Sequence, residues 1–270
     1  NEDTDHTFLT SDFGFSDTAD TSDTLASVKI TTLEGAGVLK LNGTDVTLNQ
    51  VISVADITSG LLTFSPVANA SGAGHDTFAF AVTDNNGGED ASPQTMTIDV
   101  TAVNDAPVNT VASAQTTDED VALVFNSANS NLISVADVDA TNLTVKLTVT
   151  QGAVTLSQTT GLTIDAGSDG STSVTFTGAK ADVNAALDGL SYTGASNYNG
   201  SDSLEVVVTD DNGTALSDTD TVAITVTAVN DLPTGADKTV TTNEDTDHTF
   251  LTSDFGFSDS ADTSDTLASV

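Results

Sequence analysis

Thr101-Ala102-Val103-Asn104-Asp105-Ala106-Pro107 returns 126 residues later as Thr227-Ala228-Val229-Asn230-Asp231-Leu232-Pro233. Each copy ends one strand-like run and begins another. Val103 and Val229 close alternations of apolar and polar residues. Pro107 and Pro233 lack an amide donor and hold the preceding residue extended. The Asn-Asp pair between them offers side-chain oxygens on a short, stiff joint. Read this way, the stretch separates β-domains: domain A at 1–107, domain B at 108–233, and the start of a second A at 234–270.

Working outward, residues 1–28 recur as 243–270 with one change, Thr18 to Ser260. A match in 27 of 28 positions comes from duplication, not from convergence on a pattern. Residues 74–107 align without gaps on 200–233, sharing Asp76/Asp202, Thr83-Asp84/Thr209-Asp210 and Asn86-Gly87/Asn212-Gly213. The order is A-B-A-B, and the chain reads as a segment of something longer. Lys238-Thr239-Val240-Thr241, ahead of the second copy, reads as the first strand that the leading copy of A does not include.

Residues 27–33 alternate with period two, as do 61–67, 76–83 and 95–103, with Phe78, Phe80 and Val82 on one face. Val38-Leu39-Lys40-Leu41 followed by Asn42-Gly43 predicts a hairpin. Ser53 and Asp56 suit a helix cap, so a helical turn is expected within 51–57. In domain B, strands are expected at 121–125, 143–150, 153–156, 173–177, 203–209 and 221–229, with another from Tyr192. Val183, Leu187 and Leu190 share a helical face, predicting a short helix over 180–190. Short strands with one apolar face and no long helix mean an all-β chain of tandem Ig-like Greek-key β-sandwich domains, about seven strands each, joined head to tail.

Charge narrows function. Forty Asp and Glu stand against five Lys (Lys29, Lys40, Lys146, Lys180 and Lys238) and no Arg, a net charge of −35. Nothing here neutralises phosphates, which excludes nucleic acid and disfavours an anionic membrane. Such repulsion weakens the compact state unless salt or divalent cations screen it. Most of these carboxylates read as a solvated surface; those at fixed spacings read as ligands. There is no Cys for a disulfide, a common habit of large secreted bacterial repeat proteins. No run of 18 apolar residues and no signal peptide occur, so no membrane insertion is expected of this segment. His75-Asp76 is a base–carboxylate pair with no nucleophile placed beside it. Phosphate loops, zinc spacings and G-x-S-x-G are absent, so the expectation is not an enzyme.

Further motifs flank the joints: Asn1-Glu2-Asp3, Phe15-Ser16-Asp17, Asp76-Thr77-Phe78 and Val82-Thr83-Asp84 in domain A. Their counterparts in B are Asp118-Glu119-Asp120, Ala136-Asp137-Val138-Asp139, Asp202-Ser203-Leu204 and Val208-Thr209-Asp210. Together with the Asn-Asp joints they make the chain resemble bacterial cadherin-like tandem repeats of giant RTX-type adhesins and biofilm-associated surface proteins. The resemblance implies cadherin-like sandwiches, an extracellular or bacterial cell-surface location, and calcium between successive domains. Carried over residue by residue, the ligands at the A–B joint are Glu2, Asn104, Asp105, Asp137, Asp139 and Asp210. At the B–A joint they are Glu119, Asn230, Asp231 and Asp259, with Asp262 and Asp265 as further candidates. Asp17, Asp20, Asp23 and Asp84 would serve a joint ahead of these residues. The chemistry agrees, since calcium takes six to eight hard oxygens in flexible geometry. Two departures stand out. The Asp-Arg-Glu motif of animal cadherins is missing, with Asp76 and Asp202 as stand-ins, and Asp17-Thr18-Ala19-Asp20 replaces the Asp-Val-Asp of domain B.

The function so implied is a structural stalk or extender segment, rigidified by calcium, whose partners are neighbouring repeats of the same chain. Two alternatives stay open. One is an extracellular fibre that self-associates when 238–242 of a neighbouring chain adds as a strand. The other is a cell-surface glycan- or protein-binding module, for which Tyr192 and Tyr198 would be the first contacts to look for if exposed, although the stronger expectation is that Tyr192 is core and Tyr198 packs on the sandwich end.

Overall fold

Alternation puts Val28 and Ile30, Phe78 and Phe80, and Ile98 and Val100 each on one side of their strands, and all six are buried. The computed structural model describes residues 1–259 and 266–268, which includes neither Asp262 nor Asp265. It divides into two units, Asn1–Val103 and Asn104–Val270.

The first unit contains β1 (His6–Thr7), β2 (Leu25–Thr32), β3 (Gly37–Leu41), β4 (Thr44–Asp45), β5 (Val51–Ser53), α1 (Val54–Thr58), β6 (Leu62–Pro66), β7 (Gly72–Asp84) and β8 (Gln94–Val100). One sheet runs β1-β6-β3-β4 and the other β5-β2-β7-β8. The chain passes back and forth between them, and their inner faces close on one core around Phe8, Phe13, Leu39, Phe64, Phe78 and Phe80. Phe8 meets Phe78 edge-on at 5.7 Å, and Phe13 meets Phe80 likewise at 5.1 Å. Asn42 and Gly43 have φ of 50° and 76°, the two positive values that a tight β3–β4 hairpin needs. Ser53 caps α1 by accepting from the Asp56 amide at 3.1 Å.

The second unit contains β9 (Val108–Thr110), β10 (Gln115–Asp118), β11 (Leu123–Phe125), β12 (Ser134–Ala136), β13 (Asn142–Thr148), β14 (Gly152–Thr155), β15 (Leu162–Gly167), β16 (Ser173–Ala179), α2 (Lys180–Leu187), β17 (Leu190–Gly194), β18 (Gly200–Asp210) and β19 (Ser217–Thr227). A six-stranded sheet, β10-β19-β18-β13-β16-β15, faces the three-stranded β11-β17-β14, with β12-β9 as a separate pair. Phe125, Leu147, Phe176, Leu187, Tyr192 and Val206 lie in the shared core. Only β10 runs parallel to its neighbour, β19, among the described pairs. Both units are therefore Ig-like β-sandwiches in an all-β chain.

Several expectations need correction. The units have eight and eleven strands among the described residues, not about seven. The surplus is short edge pieces such as β4, β9 and β12, too brief to show alternation. Residues 238–241, expected as a strand, pair with nothing as a strand among the described residues, because an edge strand exists only against a partner. Val103 and Val229 do not close the apolar alternations; they are 44% and 43% exposed, and burial stops at Val100 and Val226. Nearer the C-terminus, Thr234 bridges Ser258, and a 3-10 turn at Thr252–Phe255 repeats the one at Thr10–Phe13.

Candidate metal centres

In the first unit, a loop after Gly14 brings Asp17 and Asp23 to the end of β7, where Asp84 stands. One carboxylate oxygen from each of the three lies within 4.8 Å of the others. Each is also held from behind. Asp17 Oδ1 accepts from the Ala19 and Asp20 amides at 2.9 and 3.0 Å. Asp84 Oδ1 accepts from the Asn86 and Gly88 amides at 2.7 and 2.9 Å, and Asp23 Oδ1 from Asn86 Nδ2 at 2.8 Å. Asp17 and Asp84 border a cleft of about 460 Å³. Asp20, the sequence counterpart of Asp139, is exposed and outside the trio; Asp23 takes the place. The sequence showed Asp20 and Asp23 as equals, because which one turns inward depends on the path of the loop.

The second unit builds the matching end with different parts. Asp137 Oδ1 accepts from the Asp139 and Ala140 amides at 2.9 and 2.7 Å, the same turn that Asp17 makes. Asp137 Oδ2 is buried with no partner. Asn104 Nδ2 donates to Asp210 Oδ2 at 2.9 Å, while Asn104 Oδ1 is buried with no partner. Asp210 itself is 5% exposed and also accepts from the Leu216 amide at 3.1 Å. Lys180 Nζ donates to the Asp137 carbonyl at 2.9 Å, bringing a cation to this acidic loop. Asp139 is exposed, and Asp105 is half-buried. Beside Asp210, Asp211 accepts from Asn142 Nδ2 and from the Asn142 and Thr141 amides, bonds that lower its carboxyl pKa.

Glu2 and Glu119 share one geometry. Each donates its amide to the carbonyl of Thr101 or Thr227 at 2.9 Å. Each then accepts, through Oε1, from the amide of Val103 or Val229 at 2.7 Å. Both are 4% exposed, and Glu119 Oε2 has no partner. Asn230, Asp231 and Asp259 line one cleft of about 340 Å³ in the second unit. There Asn230 Nδ2 donates to the Asp231 carbonyl, and Asn197 Nδ2 donates to Asp231 Oδ2 at 3.0 Å.

The residues fit a hard divalent cation. Six buried side-chain oxygens lack a partner among the described residues, and three of them belong to this set: Asn104 Oδ1, Glu119 Oε2 and Asp137 Oδ2. A buried oxygen left unpaired costs about 1–3 kcal/mol, more when charged, and a cation removes that cost. The donors are all oxygen, with neither thiolate nor imidazole among them, which suits calcium or magnesium.

Other candidates resolve differently. Asp76 and Asp202, the stand-ins for the missing motif, hold backbone instead. Asp76 accepts from the Gly35, Ala36 and Thr77 amides. Asp202 accepts from the Thr150, Gln151 and Ser203 amides and from two hydroxyls. His75 does not pair with Asp76; its Nε2 meets the Ala36 carbonyl at 3.0 Å. Tyr192 is fully buried, so it is no contact for a glycan, and its hydroxyl donates to Asp202 Oδ2 at 2.9 Å. Tyr198 packs against the core and donates to the Ser201 carbonyl at 2.7 Å.

Comparison with known proteins gives a match of residues 120–219 to the family described as GEX2, Protein GAMETE EXPRESSED 2 domain. No curated protein matches. Similar solved structures include PcdhgB3 EC1-4, at 16% identity and a TM-score of 0.36 over 75% of this chain and 41% of that one. Human CDH23 EC21-23 is similar at 13% identity and a TM-score of 0.38, over 78% and 62%. Mouse cadherin-23 EC22-24 is similar at 15% identity and a TM-score of 0.32, over 78% and 57%. The chain spans less than two thirds of the length of each of these three.

Proposed function

We propose that this chain is a structural, adhesive segment of an extracellular repeat protein, and that calcium binds at its domain ends and stiffens it. Asn104, Asp105, Asp137, Asp139 and Asp210 form one ligand set in the second unit, and Glu2 offers a carboxylate at the end of the first. Glu119, Asn230, Asp231 and Asp259 form another, and Asp17, Asp23 and Asp84 belong to a third. The observation that carries the reading is the gathered Asp17–Asp23–Asp84 trio, matched in the second unit by the unpaired oxygens of Asn104 and Asp137. Charges this close repel by about 1 kcal/mol per pair at the dielectric of water, and by several times more where solvent is partly excluded. Without a cation that repulsion loosens the loops; with one, it becomes the ligand field that fixes them. Near-identical repetition of residues 1–28 at 243–270 suits a part whose task is spacing.

The test is calorimetric titration of the whole chain with calcium and with magnesium, followed through thermal unfolding and small-angle scattering. Calcium is expected to raise the unfolding midpoint and stiffen the scattering profile, and chelator to reverse both. Asp84→Asn and Asp210→Asn should each weaken binding about tenfold at their own set only. No heat and no change in midpoint would reduce these loops to hydrated acidic surface.

A further inference from the structure

The two units carry matching acidic loops with one difference between them. Asp17 receives the Ala19 and Asp20 amides in the first, and Asp137 receives the Asp139 and Ala140 amides in the second. In the second unit a lysine also reaches the loop: Lys180 Nζ donates to the Asp137 carbonyl at 2.9 Å. The first unit has Val54 in that position. Ser53-Val54-Ala55-Asp56-Ile57 and Ala179-Lys180-Ala181-Asp182-Val183 occupy the same place, where a strand runs straight into a short helix. β5 pairs with β2 there as β16 pairs with β13. Lys29 approaches the cleft of the first unit, but Glu89 neutralises it at 2.9 Å. Lys180 is set instead on a neutral carbonyl.

Local preference does not account for Lys180. It is the first residue of α2, and a cation there opposes the helix dipole, which favours anions at that end. It is also one of only five lysines among 40 acidic residues. Its position is nonetheless fixed. Asn184, one turn further on, accepts from the Val135 amide at 3.0 Å. Its Nδ2 donates to the Val135 carbonyl at 2.9 Å and to the Lys180 carbonyl at 2.8 Å. These bonds tie the start of α2 to β12, which leads directly into the loop at 137–140. Beside that loop, Asp210 stands opposite Leu143 and is 5% exposed, and Asp137 Oδ2 is buried without a partner.

We propose that Lys180 is a resident counter-ion of this loop, which holds it when no metal is bound and competes with a divalent cation for it. Calcium takes backbone carbonyls as well as carboxylates, and the ammonium already sits on the carbonyl of Asp137. A cation arriving at this end meets a half-buried positive charge, where screening by water is incomplete. The end formed by Asp17, Asp23 and Asp84 gathers three carboxylates and fills at lower calcium. The end formed by Asp137 and Asp210 fills at higher calcium and keeps its shape until then. The competition rests on the calcium reading given above; the holding of the metal-free loop does not.

The test is amide hydrogen exchange on the 270-residue chain, read at Asp139 and Ala140, with Ala19 and Asp20 as the internal reference. Without metal, Lys180→Met should speed exchange at Asp139 and Ala140 about tenfold and leave Ala19 and Asp20 unchanged. Lys180→Arg should restore the parent rates. In a calcium titration, the concentration that protects Asp139 and Ala140 should fall about tenfold in Lys180→Met, with no change at Ala19 and Asp20. Lys146→Met, which removes an exposed lysine from the same unit, should do neither. The proposal is overturned if Lys180→Met moves neither quantity, if both loops respond alike, or if Lys146→Met matches it. Calcium that protects neither loop sinks the calcium reading and the competition with it, while the metal-free rates still decide whether Lys180 holds the loop.

Discussion

The Asp202 carboxylate receives the Thr150 amide and hydroxyl, the Gln151 and Ser203 amides and the Tyr192 hydroxyl. Burial works against its ionisation, but the hydrogen bonds from Thr150, Ser203 and Gln151 outweigh it and hold the carboxyl below its ordinary pKa. Burial first, and Asp202 second, push the Tyr192 hydroxyl well above its usual value. Asp202→Ala leaves several buried donors unpaired and is expected to destabilise the second unit by about 3 kcal/mol or more, read from urea unfolding. The depressed carboxyl adds stability that is full above the unfolded value, near ~3.9, and is lost as pH falls through the lower folded value. Unfolding of the parent between about pH 5 and 2 should show that loss, and Asp202→Asn should lack it. The repeat made Asp76 and Asp202 visible as a matched pair in the sequence. Their task was not visible, because the loop that Asp202 holds lies about 50 residues away in the chain.

Elements with strong local signals were legible. The Asn42-Gly43 hairpin, the Ser53 cap and the helix at Lys180–Leu187 each rest on a few neighbouring residues. Ser53→Ala removes the oxygen that receives the Asp56 amide and should lower the stability of the first unit by about 1 kcal/mol, with Ser53→Asp restoring most of it. Urea midpoints that do not move would mean that packing of Ile57 alone holds α1. β15 was missed because its residues after Leu162 are exposed and show no alternation. β10 was missed because Gln115–Asp118 is polar throughout; it is a strand only because β19 offers an edge. The trio of Asp17, Asp23 and Asp84 was half legible, as an Asp-rich loop opposite the end of a strand.

At the scale of the whole molecule, 40 carboxylates against five lysines make self-repulsion a standing term in stability. Lys29 pairs with Glu89 and His248 with Asp254, and five lysines cannot balance forty carboxylates directly. The thermal midpoint should therefore climb as sodium chloride rises from low millimolar to about 0.5 M, where the screening length falls below ~5 Å. A midpoint that falls or stays level would place the carboxylates too far apart to matter. Two nearly identical stretches divide what sequence decides from what tertiary structure decides. Thr10–Phe13 and Thr252–Phe255 form the same 3-10 turn, each closed by Asp12 or Asp254 accepting from the amide three residues back, at 2.8 and 2.9 Å. That turn is set by residues within one stretch of chain, so the sequence alone determined it, as it determined the alternation that makes both units β-sandwiches. Phe8 and Phe250 occupy the same repeat position, yet Phe8 is 2% exposed and Phe250 61%. Phe8 is covered by Phe78, on a strand of which these 270 residues hold no second copy after Phe250. Burial, strand pairing and the gathering of carboxylates depend on partners far along the chain, and only the tertiary structure decided them.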